Sequence, residues 1–225
     1  MVNLLQVNVS KELRFDCLPS KTREAFSFFS KSTFISNEWY LAGGTALALQ
    51  AGHRRSVDLD FFTQGHSFQE DQLERSLFAT KKWRTTLREH GTLYGEFCGA
   101  KVSFIAYPFF IPSKRRLKVG SIQILTKEDI AVMKIMAISQ RGRKRDFIDL
   151  YWYCKNIEPL VSVLKRALKQ FPSQEENLPH FLKSLVYFRD SESDPMPRLL
   201  FSVSWKTVKT FFVKEVRNAA KEFLL

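Results

Sequence analysis

The sequence lacks any uninterrupted apolar run long enough to cross a bilayer, which argues against a helical membrane span. Cysteine is scarce. Cys17, Cys98 and Cys154 make an odd set with no CxxC pair, so neither a disulfide framework nor a zinc site follows from them. No internal repeat or low-complexity stretch is visible, which removes solenoids and long linkers. The N-terminal MVNLLQVNVSKELRFD meets charge too early for a secretory signal, and the expected location is the cytoplasm. Acidic residues are outnumbered, 23 against 35 Lys and Arg, for a formal charge of +12. A balance this basic favours anionic partners such as nucleotides or nucleic acid, without choosing among them.

What remains is an ordinary globular chain. Its 225 residues are 44% hydrophobic and 26% charged, enough for one large domain or two small ones. Phenylalanine, at 21 copies, reads as core material. A helical stretch runs from Lys21 to about Ile35. Trp39–Ala42 reads as a short buried strand, Thr45–Gln50 as a helix stopped by Gly52, Val57–Phe62 as a strand, and Gln69–Ala79 as a helix. Between Lys82 and Tyr107 strands alternate with glycine turns at Gly91, Gly95 and Gly99, and Ser121–Leu125 is a further strand. Helices then dominate: Thr126 to Gln140, Lys144 to Cys154, Pro159 to Gln170, and Trp205 to Phe223. The expected class is α/β in the α+β sense, a small mixed sheet flanked by helices over residues 1–125, followed by a helical part over 126–225.

Chemistry concentrates in LAGGTALALQAGHRRSVDLDFF, residues 41–62. Gly43 and Gly44 stand between strand and helix, where missing Cβ atoms let the backbone approach a ligand. The helix behind them offers unpaired N–H groups and a positive dipole end, which suit a phosphate, and Thr45 adds a hydroxyl. Asp58 and Asp60 lie two apart in a strand, so both face one side while Val57, Leu59 and Phe61 face the core. Two carboxylates on one face call for a cation between them, and Mg²⁺ (or Mn²⁺) shared with substrate phosphates supplies it. Arg55, beside Arg54, can pair with a triphosphate through its planar fork, and Ser56 shares the Asp58 face if the alternation reaches that far. His53 reads as a loop residue.

Together these residues resemble the polymerase-β-like nucleotidyltransferases, and within them the AbiEii/AbiGii-type toxin group of bacteria, in which GGT-x-L is followed by R-x-S-x-D-x-D. A second block, Lys127–Ala137 with Arg141 and Lys144–Tyr151, resembles the later motifs of that group. The resemblance implies metal-dependent attack on the α-phosphate of an NTP, with pyrophosphate leaving. It implies Gly43, Gly44 and Thr45 on the phosphates and Asp58 and Asp60 on the metal. It further implies a toxin with a cognate antitoxin and an RNA (tRNA) or protein acceptor. There is one departure. The strand Lys101–Tyr107 carries Ser103 where a third carboxylate might stand, and Glu96 has no obvious equivalent place, so the general base is open. A binding module that has lost catalysis therefore stands as the alternative. A small-molecule transferase is a weaker option, disfavoured by the basic charge.

In the second block the apolar stripe Ile130, Met133, Ala137 contains Lys134. A lysine there either snorkels to water or turns inward toward a triphosphate, and it is the candidate contact. Asp146 and Asp149 share a helix face opposite Phe147, Leu150, Tyr151 and Cys154. They are candidates to orient Lys134 or Arg141, with Asp146 also a candidate to act near the acceptor hydroxyl. Arg141-Gly-Arg-Lys-Arg145 reads as a phosphate-contacting or solvated run. Lys206, Lys209, Lys214 and Arg217 add charge on the last helix. Trp152, Tyr153, Tyr187 and Trp205 are stacking candidates whose default place is the core, and Ser191–Pro197 is an acidic loop.

Overall fold

A computed structural model describes residues 13–33, 35 and 37–224. The N-terminal stretch behind the location expectation, up to residue 12, and Phe34 of the expected first helix lie outside the described residues. The chain divides into two compact units, Met1–Thr126 and Lys127–Leu225. No helix is long and apolar enough to cross a membrane among the described residues.

Among the described residues the first unit is a seven-stranded mixed sheet with three α-helices. The strands are β1 (Tyr40–Ala42), β2 (Leu59–Thr63), β3 (Trp83–Glu89), β4 (Thr92–Phe97), β5 (Ala100–Ala106), β6 (Arg116–Val119) and β7 (Ile122–Leu125), in the order β3-β4-β5-β2-β1-β7-β6. β1 runs antiparallel to β2 and parallel to β7, and β2 runs parallel to β5. The helices are α1 (Ser20–Lys31), α2 (Gly43–Ala51) and α3 (Glu70–Ala79). The phenylalanines do serve as core: Phe29 of α1 packs its ring against Phe61, Phe97 and Phe104 of β2, β4 and β5.

Several expectations need correcting. α1 ends at Lys31, where Ser32 turns extended, rather than at Ile35. Gly95 is not a turn but sits inside β4. A Cβ there would lie 2.3 Å from the Trp83 ring, so only glycine lets the indole lie flat across the strand. β6, with two basic residues in four and none of the four buried, was not expected.

The second unit is built from α4 (Lys127–Arg141), α5 (Lys144–Asn156), α6 (Leu160–Gln170), α7 (Leu178–Ser184), α8 (Arg189–Glu192) and α9 (Trp205–Leu224). α4 packs against α5, α6 and α7 at once. It is therefore buried nearly all round, at Ile130, Ala131, Val132, Ile135, Met136 and Ile138, instead of along the stripe Ile130, Met133, Ala137. The basic run ahead of α5 is largely structural. Lys144 is buried, its Nζ donates to the carbonyls of Glu192 and Asp194, and it lies over the Trp205 ring. Asp194 accepts from the Lys144 N–H at 2.9 Å and from Arg143 at 2.9 Å, so the acidic loop caps the start of α5.

Candidate active site

The site begins where β1 runs into α2. Ala42 pairs with Asp60 across the antiparallel β1–β2 ladder, so the first residue of α2, Gly43, comes to lie against the Asp60 carboxylate. Gly43 has φ +71°, and a Cβ added there would stand 2.8 Å from Asp60 Oδ2. Both the backbone angle and the space admit only glycine. No side chain caps α2, and Gly43 and Gly44 are half-exposed while Thr45–Leu49 are buried. The orphan N–H groups of the first turn therefore open beside a carboxylate.

Asp60 is half-buried on β2, and Asp58 is half-buried just before the strand. Ser103 of β5 stands beside Asp60 in the parallel register, and its hydroxyl donates to Asp60 Oδ1 at 2.9 Å. This fixes one carboxylate oxygen and leaves Oδ2 on the Gly43 side. The next residue in the row is Tyr94 of β4, so hydroxyls occupy the two positions flanking Asp60 on that side. Glu96 lies further along β4, opposite Lys101, and pairs with Arg84 at 3.0 Å.

The segment leading to the carboxylates departs from the expected strand, which begins at Leu59. Leu59 and Phe61 enter the core as anticipated, but Val57 is 50% exposed and Ser56 is buried. The cause is three backbone anchors. The Ser56 N–H donates to the Cys17 carbonyl at 3.3 Å, Thr22 Oγ1 donates to the Val57 carbonyl at 2.9 Å, and Thr45 Oγ1 donates to the Asp58 carbonyl. Thr45 and Ser56 also share a hydroxyl–hydroxyl hydrogen bond of 2.8 Å. The Thr45 side chain, 1% exposed, is thus turned to the Asp58 main chain. Arg55 is exposed, whereas Arg54 is buried, and so is His53 in its loop.

The second unit gathers the other candidates into one cluster. Lys134 does not snorkel to water; it is 4% exposed, and its Nζ lies 2.6 Å from Asp146 Oδ1 and 2.7 Å from Asp149 Oδ2. Arg141 Nε reaches Asp146 Oδ2 at 3.2 Å, with half its side chain in solvent. Both aspartates are fully buried, contrary to an outward face opposite Phe147. Burial alone would push the Asp146 carboxyl up; the charges of Lys134 and Arg141 and the Lys134 hydrogen bond outweigh it and hold the group below the usual carboxylate range. Lys134 and Arg141 thus bring cations against this buried pair of carboxylates.

Among the described residues no third His, Cys, Asp or Glu joins a metal-sized group. The Asp60 carboxylate against a glycine-only bend, with Asp58 two residues before it, still fits Mg²⁺, which keeps several waters and takes substrate phosphate oxygens. A separate cleft of about 990 Å³ opens at the other end of β1, lined by Trp39, Tyr40, Thr63, Gln64 and Arg116 among others, and contains none of these residues.

The model of the nucleotidyl transferase AbiEii toxin family, type IV toxin–antitoxin system, matches residues 31–96 and 101–222. The chain belongs to this family. It is accordingly a nucleotidyltransferase of a toxin family. An uncharacterized protein of Aquifex aeolicus (strain VF5) is 34% identical over 194 residues, covering 82% of this chain and 89% of the relative. Among solved structures, the nucleotidyltransferase toxin MenT4 of Mycobacterium tuberculosis H37Rv has a similar fold, with TM-score 0.54, 14% identity, and 89% and 86% of the two chains covered. A Helicobacter pylori protein described as a nucleotidyltransferase gives TM-score 0.50 at 14% identity, covering 91% and 96%.

Proposed function

We propose that this AbiEii-family chain transfers NMP from an NTP to an RNA acceptor, with Mg²⁺ or Mn²⁺ held by Asp58 and Asp60. The observation that carries this reading is the contact of the Gly43 bend with the Asp60 carboxylate, which puts uncapped helix N–H groups beside an anionic metal ligand. Phosphates favour the first and a cation favours the second. A bound divalent ion would neutralise charge on the triphosphate. Gly43 and Gly44 would receive phosphate oxygens through their N–H groups, and Arg55 would pair with the triphosphate. Thr45 and Ser56 hold the Asp58 main chain in place. Within the second unit, Asp146 and Asp149 fix the Lys134 ammonium, and Arg141, half in solvent, closes the same cluster.

In the transfer, the acceptor hydroxyl oxygen bonds to the α-phosphorus as the bond from that phosphorus to the bridging oxygen breaks. Pyrophosphate leaves with the electron pair, and the hydroxyl proton passes to solvent. Positioning and charge stabilisation carry most of such a reaction, so Ser103 in place of a third acid is compatible with turnover. The family's type IV description supports a cognate antitoxin as partner.

The test is incubation of the folded chain with each α-labelled NTP, total RNA and Mg²⁺ or Mn²⁺. Label should enter RNA with at least one NTP. No label in RNA with any NTP overturns the reading, and NTP-dependent thermal stabilisation without pyrophosphate release would place the chain among binding proteins instead.

A further inference from the structure

The last helix presents one face that the proposed chemistry does not use. At about 100° per residue, Lys206, Lys214, Arg217 and Lys221 fall within about 80° of one another around the α9 axis, and all four are exposed. Val208, Phe212 and Ala219, all buried, lie on the opposite side. The acids of α9 avoid the basic face, since Glu215 and Glu222 fall about 120–140° from its centre. Glu222 is taken up by Lys165 at 2.6 Å, and the flanking Lys209 by Glu192 at 2.6 Å. An ordinary solvated helix face mixes signs and gains from i,i+4 pairs. This one carries four cations and no acid over a rise of about 22 Å.

Its neutral residues fit the same partner. Thr210, Val213 and Asn218 share this open surface of α9 with Lys214, Arg217 and Lys221. Lysine, arginine, threonine and asparagine are the side chains that commonly meet nucleic-acid phosphate and sugar. Among the described residues no large exposed apolar side chain lies on α9, so the face has nothing to insert into a bilayer. It also carries no exposed aromatic ring for reading bases.

We propose that this face of α9 docks the phosphate backbone of the RNA acceptor, without regard to sequence. The proposal rests on RNA being the acceptor, and it adds where that RNA is held. Full-length protein should bind total tRNA with an affinity that falls steeply as salt rises. The variant Lys214→Gln/Arg217→Gln/Lys221→Gln removes three contacts, and the slope of log affinity against log salt should shrink by about 2–3. Binding should weaken at least about tenfold at 0.1 M salt, with thermal unfolding unchanged. In the transfer assay the variant should raise KM for RNA and leave kcat and KM for NTP alone. An unchanged salt slope and tRNA affinity within twofold of wild type would overturn the proposal. So would equal loss of binding to poly-glutamate or to vesicles rich in anionic lipid, which would mark a general polyanion surface. Binding is read without catalysis, so the two readings fail separately. Transfer to RNA with unaltered variant binding sinks only the docking face. Variant-sensitive RNA binding with no transfer under any NTP sinks only the transferase reading.

Discussion

The chain holds two pairs of aspartates at close spacing, and they are built in opposite ways. Asp58 and Asp60 are half-buried at the entry to β2, held by hydroxyls and main-chain anchors. Asp146 and Asp149 are fully buried on α5 and locked to Lys134. A carboxylate meant to take up a cation from solution must stay reachable. A carboxylate enclosed by helices must be paired within the fold, because desolvating it alone is prohibitive. The first pair stays half in solvent, while the second is enclosed with the Lys134 ammonium against it. Substitutions in the two pairs should fail in different ways.

The largest effect is expected at the open pair. Asp60→Asn should lower NMP transfer by at least about 10³-fold, because it removes charge from the metal-binding face. Its melting temperature should stay close to wild type, since the group is half in solvent. A matching loss of stability would erase the contrast. At the closed pair the effect should fall on folding. Lys134→Ala leaves two buried carboxylates without their ammonium and should destabilise the protein by about 3–5 kcal/mol in chemical denaturation. Lys134→Met/Asp146→Asn/Asp149→Leu should regain much of that stability. If Lys134→Ala denatures like wild type, the cluster is not the strut described here.

A smaller effect is expected at Thr45. Thr45→Val keeps the shape but removes the donor to the Asp58 carbonyl, and should reduce transfer about 10- to 100-fold through misplacement of Asp58. Stability should fall by about 1–3 kcal/mol for the acceptor left without its buried donor. The smallest effect is on pH dependence. Asp146 has a lowered pKa in the folded chain, so its contribution is present above the unfolded value of about 3.9 and lost as pH falls through the folded one. Denaturation midpoints should show this contribution intact from pH 7 to about 5 and declining below about 4. Asp146→Asn should flatten that acid limb.

Much of the open site was legible, because its signals are local. A glycine pair between strand and helix, then an acid on the next strand, specify the bend and the Asp60 carboxylate that lies against it within twenty residues. The inward lysine on α4 was legible for the same reason, as a charge out of place in an apolar pattern. What escaped depends on distant partners. Val57 faces solvent because Cys17 and Thr22 hold the main chain on either side of it. Asp146 and Asp149 are buried by helix packing that an i, i+3 spacing cannot reveal. Gly95 resembled a turn because the Trp83 ring that needs its bare Cα lies on the neighbouring strand. Thr45 read as a phosphate donor, whereas its hydroxyl is turned to the Asp58 carbonyl through a bend the sequence does not show.

The most direct measurement is calorimetric titration of NTP into wild type and Asp60→Asn, each with Mg²⁺ and with chelator. Wild type should bind NTP far more tightly with Mg²⁺ than without, and the variant should lose that difference while remaining folded. Equal Mg²⁺-dependent binding by both proteins would contradict the assignment of Asp58 and Asp60 as the metal-holding pair.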